Sequence, residues 1–240
     1  MIDIVIPLGS GSAWNNNELR YCLRGIEKHL INYRNVFIVG ECPDWIQNVT
    51  HVKFTEGYHP SKNIMLKILS ACKRNNLSND FLFFNDDFFL IKDIDAPTYP
   101  YYHKGNLDRA ILRNSGNWYQ DYVIETIREL RKKECSTLNF DGHCPIVYNK
   151  TAFIDTMAQY DFNQKLTVKS IYCNTNKITG EFMEDCKLSG WKSEGQIKVL
   201  TDGRHIFSTG DYCLQDIPQR KSPVKTFIEK NYPNKSKYEK

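Results

Sequence analysis

The sequence predicts an α/β protein, a three-layer sandwich on a mostly parallel central sheet. Through residues 1–90, short apolar runs rich in Ile, Val and Phe alternate with amphipathic helical stretches. The runs are apolar on both faces, as strands buried between two helical layers are. Clusters of Gly, Ser, Asn and Asp fall at the ends of these runs, where open α/β sheets bind their ligands.

Ile2–Leu8 reads as a buried strand with Pro7 near its end, and Gly9-Ser10-Gly11-Ser12 follows as a flexible loop. Asn16 and Asn17 are good N-cap residues for a helix. Its inward face is Leu19, Cys22, Leu23, Ile26 and Leu30, at helical spacing. Asn35–Gly40 and Val49–Phe54 are the next strands. Ser61 can cap a helix to about Arg74, with Ile64, Ile68, Leu69 and Cys72 inward. Asp80–Phe84 is a fourth strand, delivered to Asn85-Asp86-Asp87. Further on, 117–133 reads as an amphipathic helix, Pro145–Tyr148 as a strand and 151–160 as a short helix. Gln196–Leu200 and His205–Ser208 read as short strands. Ser222-Pro223 opens a last helix with Val224, Phe227 and Ile228 on one side. Residues 1–219 form one domain, and 220–240 form a basic C-terminal helix or tail.

Composition narrows the class. With 240 residues, 41% hydrophobic and 25% charged, the chain suits a single globular domain, and 13% aromatic residues exclude a disordered one. The most apolar run, Phe81–Ile91, is interrupted by Asn85-Asp86-Asp87, so no membrane span is expected. The first residues lack a basic segment followed by a long apolar one, which points to a cytoplasmic protein. The eight cysteines are scattered without CxxC or zinc-finger spacing and read as reduced, mostly buried thiols. The net charge of +4 is unevenly placed. Residues 220–240 hold seven Lys or Arg against Glu229 and Glu239, a net of +5, which leaves −1 for the body. Such a segment either contacts a polyanionic acceptor or keeps the protein soluble.

Asn85-Asp86-Asp87 is the sharpest chemical feature. Adjacent carboxylates between apolar runs are costly to bury unpaired, and become favourable when they bind a divalent cation or line a hydrated cleft. Mg²⁺ and Mn²⁺ take hard oxygen ligands and are commonly held by one or two carboxylates plus substrate phosphates. In the second half, Asp141-Gly142-His143-Cys144-Pro145, Glu181–Lys187 and Asp202–Asp211 concentrate carboxylates and imidazoles. Among the tryptophans, Trp14 and Trp118 sit among polar residues and are candidates to pack on a sugar ring or a base.

Ile2–Leu8, the helix "NELRYCLRGIEK" (17–28), Asn35–Gly40 and "FLFFNDDFFL" (81–90) together resemble glycosyltransferases of the GT-A, Rossmann-like fold. More narrowly they are similar to phage-encoded glycosyltransferases and to the Stealth family of capsular-polysaccharide sugar-phosphate transferases. The likeness covers residues 2–95 well and the rest in patches. It implies a nucleotide-sugar-binding half over 1–95 and an acceptor and catalytic half over 96–219. It implies Mn²⁺ or Mg²⁺ at Asp86 and Asp87, with Asn85 where many relatives carry Asp. Strand alternation puts Asn85 and Asp87 on one face, which favours Asp87 as the main ligand. The nucleotide, a UDP-sugar on this likeness, would meet Leu8, Gly9, Ser10 and Gly11, then Asn63 and Lys67 on the following helix, and Asn85 and Asp86. A second-half carboxylate would be the base, Asp185 first and Asp141 second. His143 and His205 would supply a late histidine, His143 among the catalytic groups and His205 on the metal.

The resemblance therefore implies metal-dependent transfer of a sugar to an acceptor hydroxyl. The acceptor would be a hydroxymethylated base in phage DNA or a saccharide. The alternatives are transfer of a sugar phosphate at the same site, and a non-catalytic sugar- or nucleic-acid-binding protein.

Overall fold

A computed structural model describes residues 1–12, 14–113 and 116–240. The chain opens with β1 (Ile2–Leu8), α1 (Asn17–His29), β2 (Leu30–Ile31), β3 (Tyr33–Gly40), β4 (Thr50–Val52), α2 (Pro60–Cys72) and β5 (Asp80–Phe83). It continues through β6 (Phe88–Leu90), β7 (Ile94–Asp95), β8 (Tyr102–His103), α3 (Leu107–Arg113), α4 (Tyr119–Lys132) and β9 (Ile146–Asn149). Then come α5 (Lys150–Met157), α6 (Val168–Thr175), β10 (Glu181–Phe182), β11 (Lys187–Leu188), α7 (Glu194–Thr201), β12 (Ile206–Thr209) and α8 (Pro223–Asn231).

The central sheet has the order β4-β3-β1-β5-β9. Its first four strands are parallel, and β9 closes the edge antiparallel to β5. Along β1 the side chains divide between two cores. Val5 joins Phe37, Val39, Phe81 and Phe83 under α2, α4, α5 and α6. Ile4, Ile6 and Leu8 join Ile38, Leu82 and Phe84 under α1. Burial on both faces is what makes these strands continuous apolar runs, and it produces the expected three-layer α/β sandwich. A second sheet, β11-β12-β6, packs Phe89 and Phe207 against Val224, Ile228 and Tyr232 in a third core. The chain passes from the central sheet to this one at 84–87, so Asn85-Asp86-Asp87 is the corner between two sheets.

Several expectations change. Residues 196–200 are helical, inside α7, rather than a strand. Ser193 and Gln196 form a reciprocal capping box, and Ile197 and Thr201 turn inward one turn apart. His59, not Ser61, caps α2, and Pro60 takes the first helical position. Ser61 instead donates its hydroxyl to the Leu166 carbonyl. Asn16 caps α1 with a left-handed backbone (φ 57°) and no side-chain bond; the Ser12 hydroxyl accepts from the Asn16 amide. Helix α6 was not expected. Its Val168, Ile171, Tyr172 and Cys173 are buried together with Lys169, Ser170 and Asn174, so no polar face marks it as a helix.

Residues 220–240 pack onto the body. Glu239, with its side chain fully buried, receives Arg24 at 2.7 Å and Arg20 at 2.9 Å from α1. The Lys240 amide donates to the Trp45 carbonyl. No helix among the described residues is long and apolar enough to cross a membrane.

Candidate active site

The corner 85–87 lies at the carboxyl end of β5, beside the 9–12 loop that leaves β1. Two cavities meet there. The smaller, about 310 Å³, is lined by Gly9, Gly11, Ser12, Glu18, Asn85, Asp86, Asp87, Thr209 and Asp211. The larger, about 800 Å³, contains Lys104, Tyr119, Asp141, His143, Lys169, Asp185 and Lys187. Asn85 lines both.

In the small cavity, negative charge is concentrated. Burial and the neighbouring charges of Asp87 and Glu18 push the Asp86 carboxyl up to about 7. Burial also raises Asp87, against a 2.7 Å hydrogen bond from Ser208 and the electrostatic influence of His143 and Lys187. Among the described residues, the buried Thr209 hydroxyl has no partner. Carboxylates repelling one another beside an orphaned hydroxyl fit a divalent cation with substrate oxygens completing its shell. Asp86 and Asp87 are the residues that would hold it. Among the described residues, no three His, Cys, Asp or Glu side chains converge into a site made by protein alone.

In the large cavity, Asp185 accepts the His143 Nδ1–H at 2.9 Å, the His143 backbone amide at 3.1 Å and Lys104 Nζ at 2.8 Å. Burial alone would raise this carboxyl. The His143 hydrogen bond and the Lys104 charge outweigh burial and hold it far below the ordinary carboxylate range. The His143 loop is pinned from two further sides. Lys169 Nζ grips the carbonyls of Gly142 at 2.8 Å and Cys144 at 2.7 Å, and the Cys186 thiol donates to the His143 carbonyl. Asp141 accepts the buried Tyr119 hydroxyl at 2.7 Å. Asp185 is thus an anchor for an imidazole rather than a free proton acceptor, and His143 keeps Nε2 for the cavity.

The fold gathers Gly9, Gly11, Asn85, Asp86 and Asp87 in one cavity, and Asp141, His143 and Asp185 with Asn85 in the other. Ser10 is exposed and lines neither. Three of the remaining candidates are used inside the protein. Lys67 is buried and donates to the Leu8 carbonyl at 2.6 Å and to Glu56. Asn63 ties residues 57 and 58 together through its carboxamide. Lys67 braces the end of β1 beside the small cavity and Asn63 the 57–58 turn, and neither lines either cavity. His205 sits elsewhere, with Nε2 3.0 Å from the Tyr99 hydroxyl and its ring against Tyr102, and it lines neither cavity. Trp118 stands at the wall of the large cavity, whereas Trp14 stacks on Tyr21.

Sequence reasoning gave no role to Glu18, Lys104, Tyr119, Lys187, Thr209 or Asp211. Thr209 and Asp211 fall in a polar patch that composition does reveal. A lone Lys104 between His103 and Gly105 carries no signal at all.

No known family profile matches the chain. Individual proteins do. It is 31% identical over 102 residues to the N-acetylglucosamine-1-phosphotransferase subunits alpha/beta of Homo sapiens, across 38% of this chain and 8% of that protein. It is 28% identical over 93 residues to the capsular polysaccharide phosphotransferase cps1A of Actinobacillus pleuropneumoniae, across 34% of this chain and 26% of that one. The chain is similar to sugar phosphotransferases. The matches span about a quarter or less of these relatives' own lengths. They support a transferase of the sugar or sugar-phosphate kind.

Proposed function

We propose that this chain transfers a sugar phosphate from a nucleoside-diphosphate sugar, taken as a UDP-sugar, to an acceptor hydroxyl. One observation carries the choice of phosphorus over the sugar carbon. The large cavity presents three lysines, of which Lys187 has no ion pair or hydrogen bond among the described residues, while both of its carboxylates are engaged, Asp185 by His143 and Lys104 and Asp141 by Tyr119. Attack on phosphorus builds negative charge, which such cations stabilise. Attack at an anomeric carbon builds positive charge and calls for available carboxylates. The phosphotransferase names of the relatives support the same choice.

The donor would lie across Gly9–Ser12 in the small cavity with its diphosphate at the corner. A Mg²⁺ or Mn²⁺ ion on Asp86 and Asp87 would, when bound, neutralise that diphosphate. The acceptor oxygen attacks the phosphorus bonded to the sugar. Its proton passes to His143 Nε2, the bond to the bridging oxygen breaks, and the nucleoside monophosphate leaves. Asp185 holds the imidazole in the tautomer that leaves Nε2 able to accept.

The acceptor is a saccharide on this reading. The basic segment that recommended DNA is largely engaged: Lys225 with Asp216, Lys221 with Glu229, Arg220 on Trp191 and Lys237 on Tyr33. Asp87→Ala keeps the fold and abolishes divalent-dependent nucleotide release from a UDP-sugar, read by chromatography. Full activity in that variant contradicts the metal assignment.

A further inference from the structure

Asn85 stands where the two cavities meet, and its chemistry differs from that of its neighbours. Its backbone carbonyl accepts the Phe88 amide and the Cys22 thiol, which fixes the corner. Among the described residues its carboxamide makes no hydrogen bond. It is half-buried and reachable from both sides. Ionised, Asp86 and Asp87 offer only acceptors at this corner, and the Asn85 Nδ2 is an uncharged donor placed where the two cavities meet.

A second group converges from the other sheet. Lys187 on β11 pairs in register with Ser208 on β12, and Ser208 holds Asp87. The Lys187 stem runs along Gly210, where a side-chain Cβ would come within 3.2 Å of Cε. Among the described residues, its ammonium has no ion pair or hydrogen bond within the protein. Lys104 and Lys169, the other lysines of the large cavity, are both committed to protein oxygens.

We infer that Asn85 and Lys187 form a clamp on the transferring phosphoryl group at the crossing between the donor and acceptor cavities. This rests on the sugar-phosphate transfer proposed above. A phosphoryl group moving from one cavity to the other passes Asn85, which lines both. Its non-bridging oxygens accumulate charge as the acceptor oxygen bonds and the bridging oxygen departs. Asn85 donates a neutral hydrogen bond to one oxygen and Lys187 a charged one to another. The clamp also gives a reason for an amide at the leading position of the acidic corner. A carboxylate there would repel the group it must hold.

The probe is orthovanadate, which adopts the five-coordinate geometry of phosphorus under attack. Its affinity is measured by calorimetry on the full chain with UMP and Mg²⁺, in parallel with UMP alone. Asn85→Ala and Lys187→Met weaken vanadate at least tenfold and change UMP affinity less than threefold; Asn85→Asp weakens vanadate further. Equal vanadate affinity in all variants, or no vanadate binding by the unaltered chain, overturns the clamp. Nucleotide release from a UDP-sugar is scored separately. A vanadate site that depends on Asn85 and Lys187, in a chain that releases no nucleotide, keeps the anion clamp and discards the transferase reading.

Discussion

Asp185 shows how much a side chain's role depends on its partners. As a lone carboxylate among Glu181, Glu184 and Lys187 it reads as a base. In the fold its carboxylate receives the His143 imidazole and Lys104, which makes it one of the weakest proton acceptors in the cavity. On the proposed mechanism the base is His143. Asp185→Asn removes the charge that orients the imidazole while keeping its size. It should lower kcat by roughly 10²–10⁴-fold and leave donor affinity nearly unchanged, as steady-state rates and calorimetry would show. An equal loss in both would make Asp185 a binding residue. The corner was legible residue by residue, because carboxylates between apolar runs demand an explanation. The His143–Asp185 pair was not, since 42 residues separate its members and only tertiary structure sets their distance.

At the scale of elements, the loop after β1 is built around a glycine in the neighbouring strand. Gly40, at the end of β3, has φ +117°, and a Cβ there would lie 2.2 Å from the Leu8 carbonyl oxygen and 2.9 Å from Lys67 Cε. The bare backbone lets the buried lysine reach the Leu8 carbonyl. Gly40→Ala should cost more than about 1 kcal/mol in urea unfolding and weaken nucleotide binding, because it displaces the 9–12 loop. Unchanged stability and affinity would mean that the loop does not depend on this packing. The parallel strands and α1 were readable because each buries a continuous run or a regular stripe. The α7 sequence resembles a strand because Ile197, Val199 and Leu200 include β-branched residues at near-alternate positions. The capping box at Ser193 and Gln196 was the signal that would have corrected it.

At the scale of the whole molecule, the C-terminal segment closes over α1, whose first turn carries Glu18 into the small cavity. Glu239 is the fastening point. Burial tends to raise its carboxyl, but hydrogen bonds from Arg24, Ser236 and Arg20 bring it from 4.5 down to about 2. A depressed acid stabilises the fold above its unfolded pKa. This contribution is complete above about pH 5 and is lost as pH falls from 4.5 toward 2. Glu239→Gln should lower Tm by at least about 3 °C at pH 7, with the difference closing as pH approaches 2. A difference that persists undiminished in acid would point to lost packing rather than lost charge. The charge partition read from sequence survives, but its meaning changes: Arg220, Lys225 and Lys237 of the segment contact the body, and Lys221 pairs with Glu229 within it.

The central claim is that bond breaking occurs at phosphorus, on the acceptor side of the Asn85–Asp87 corner. Identification of the nucleotide released from a UDP-sugar, with Mn²⁺ and a saccharide acceptor present, tests it most directly. The account predicts UMP, with the sugar phosphate found on the acceptor. Release of UDP, with a sugar lacking phosphate on the acceptor, would contradict it.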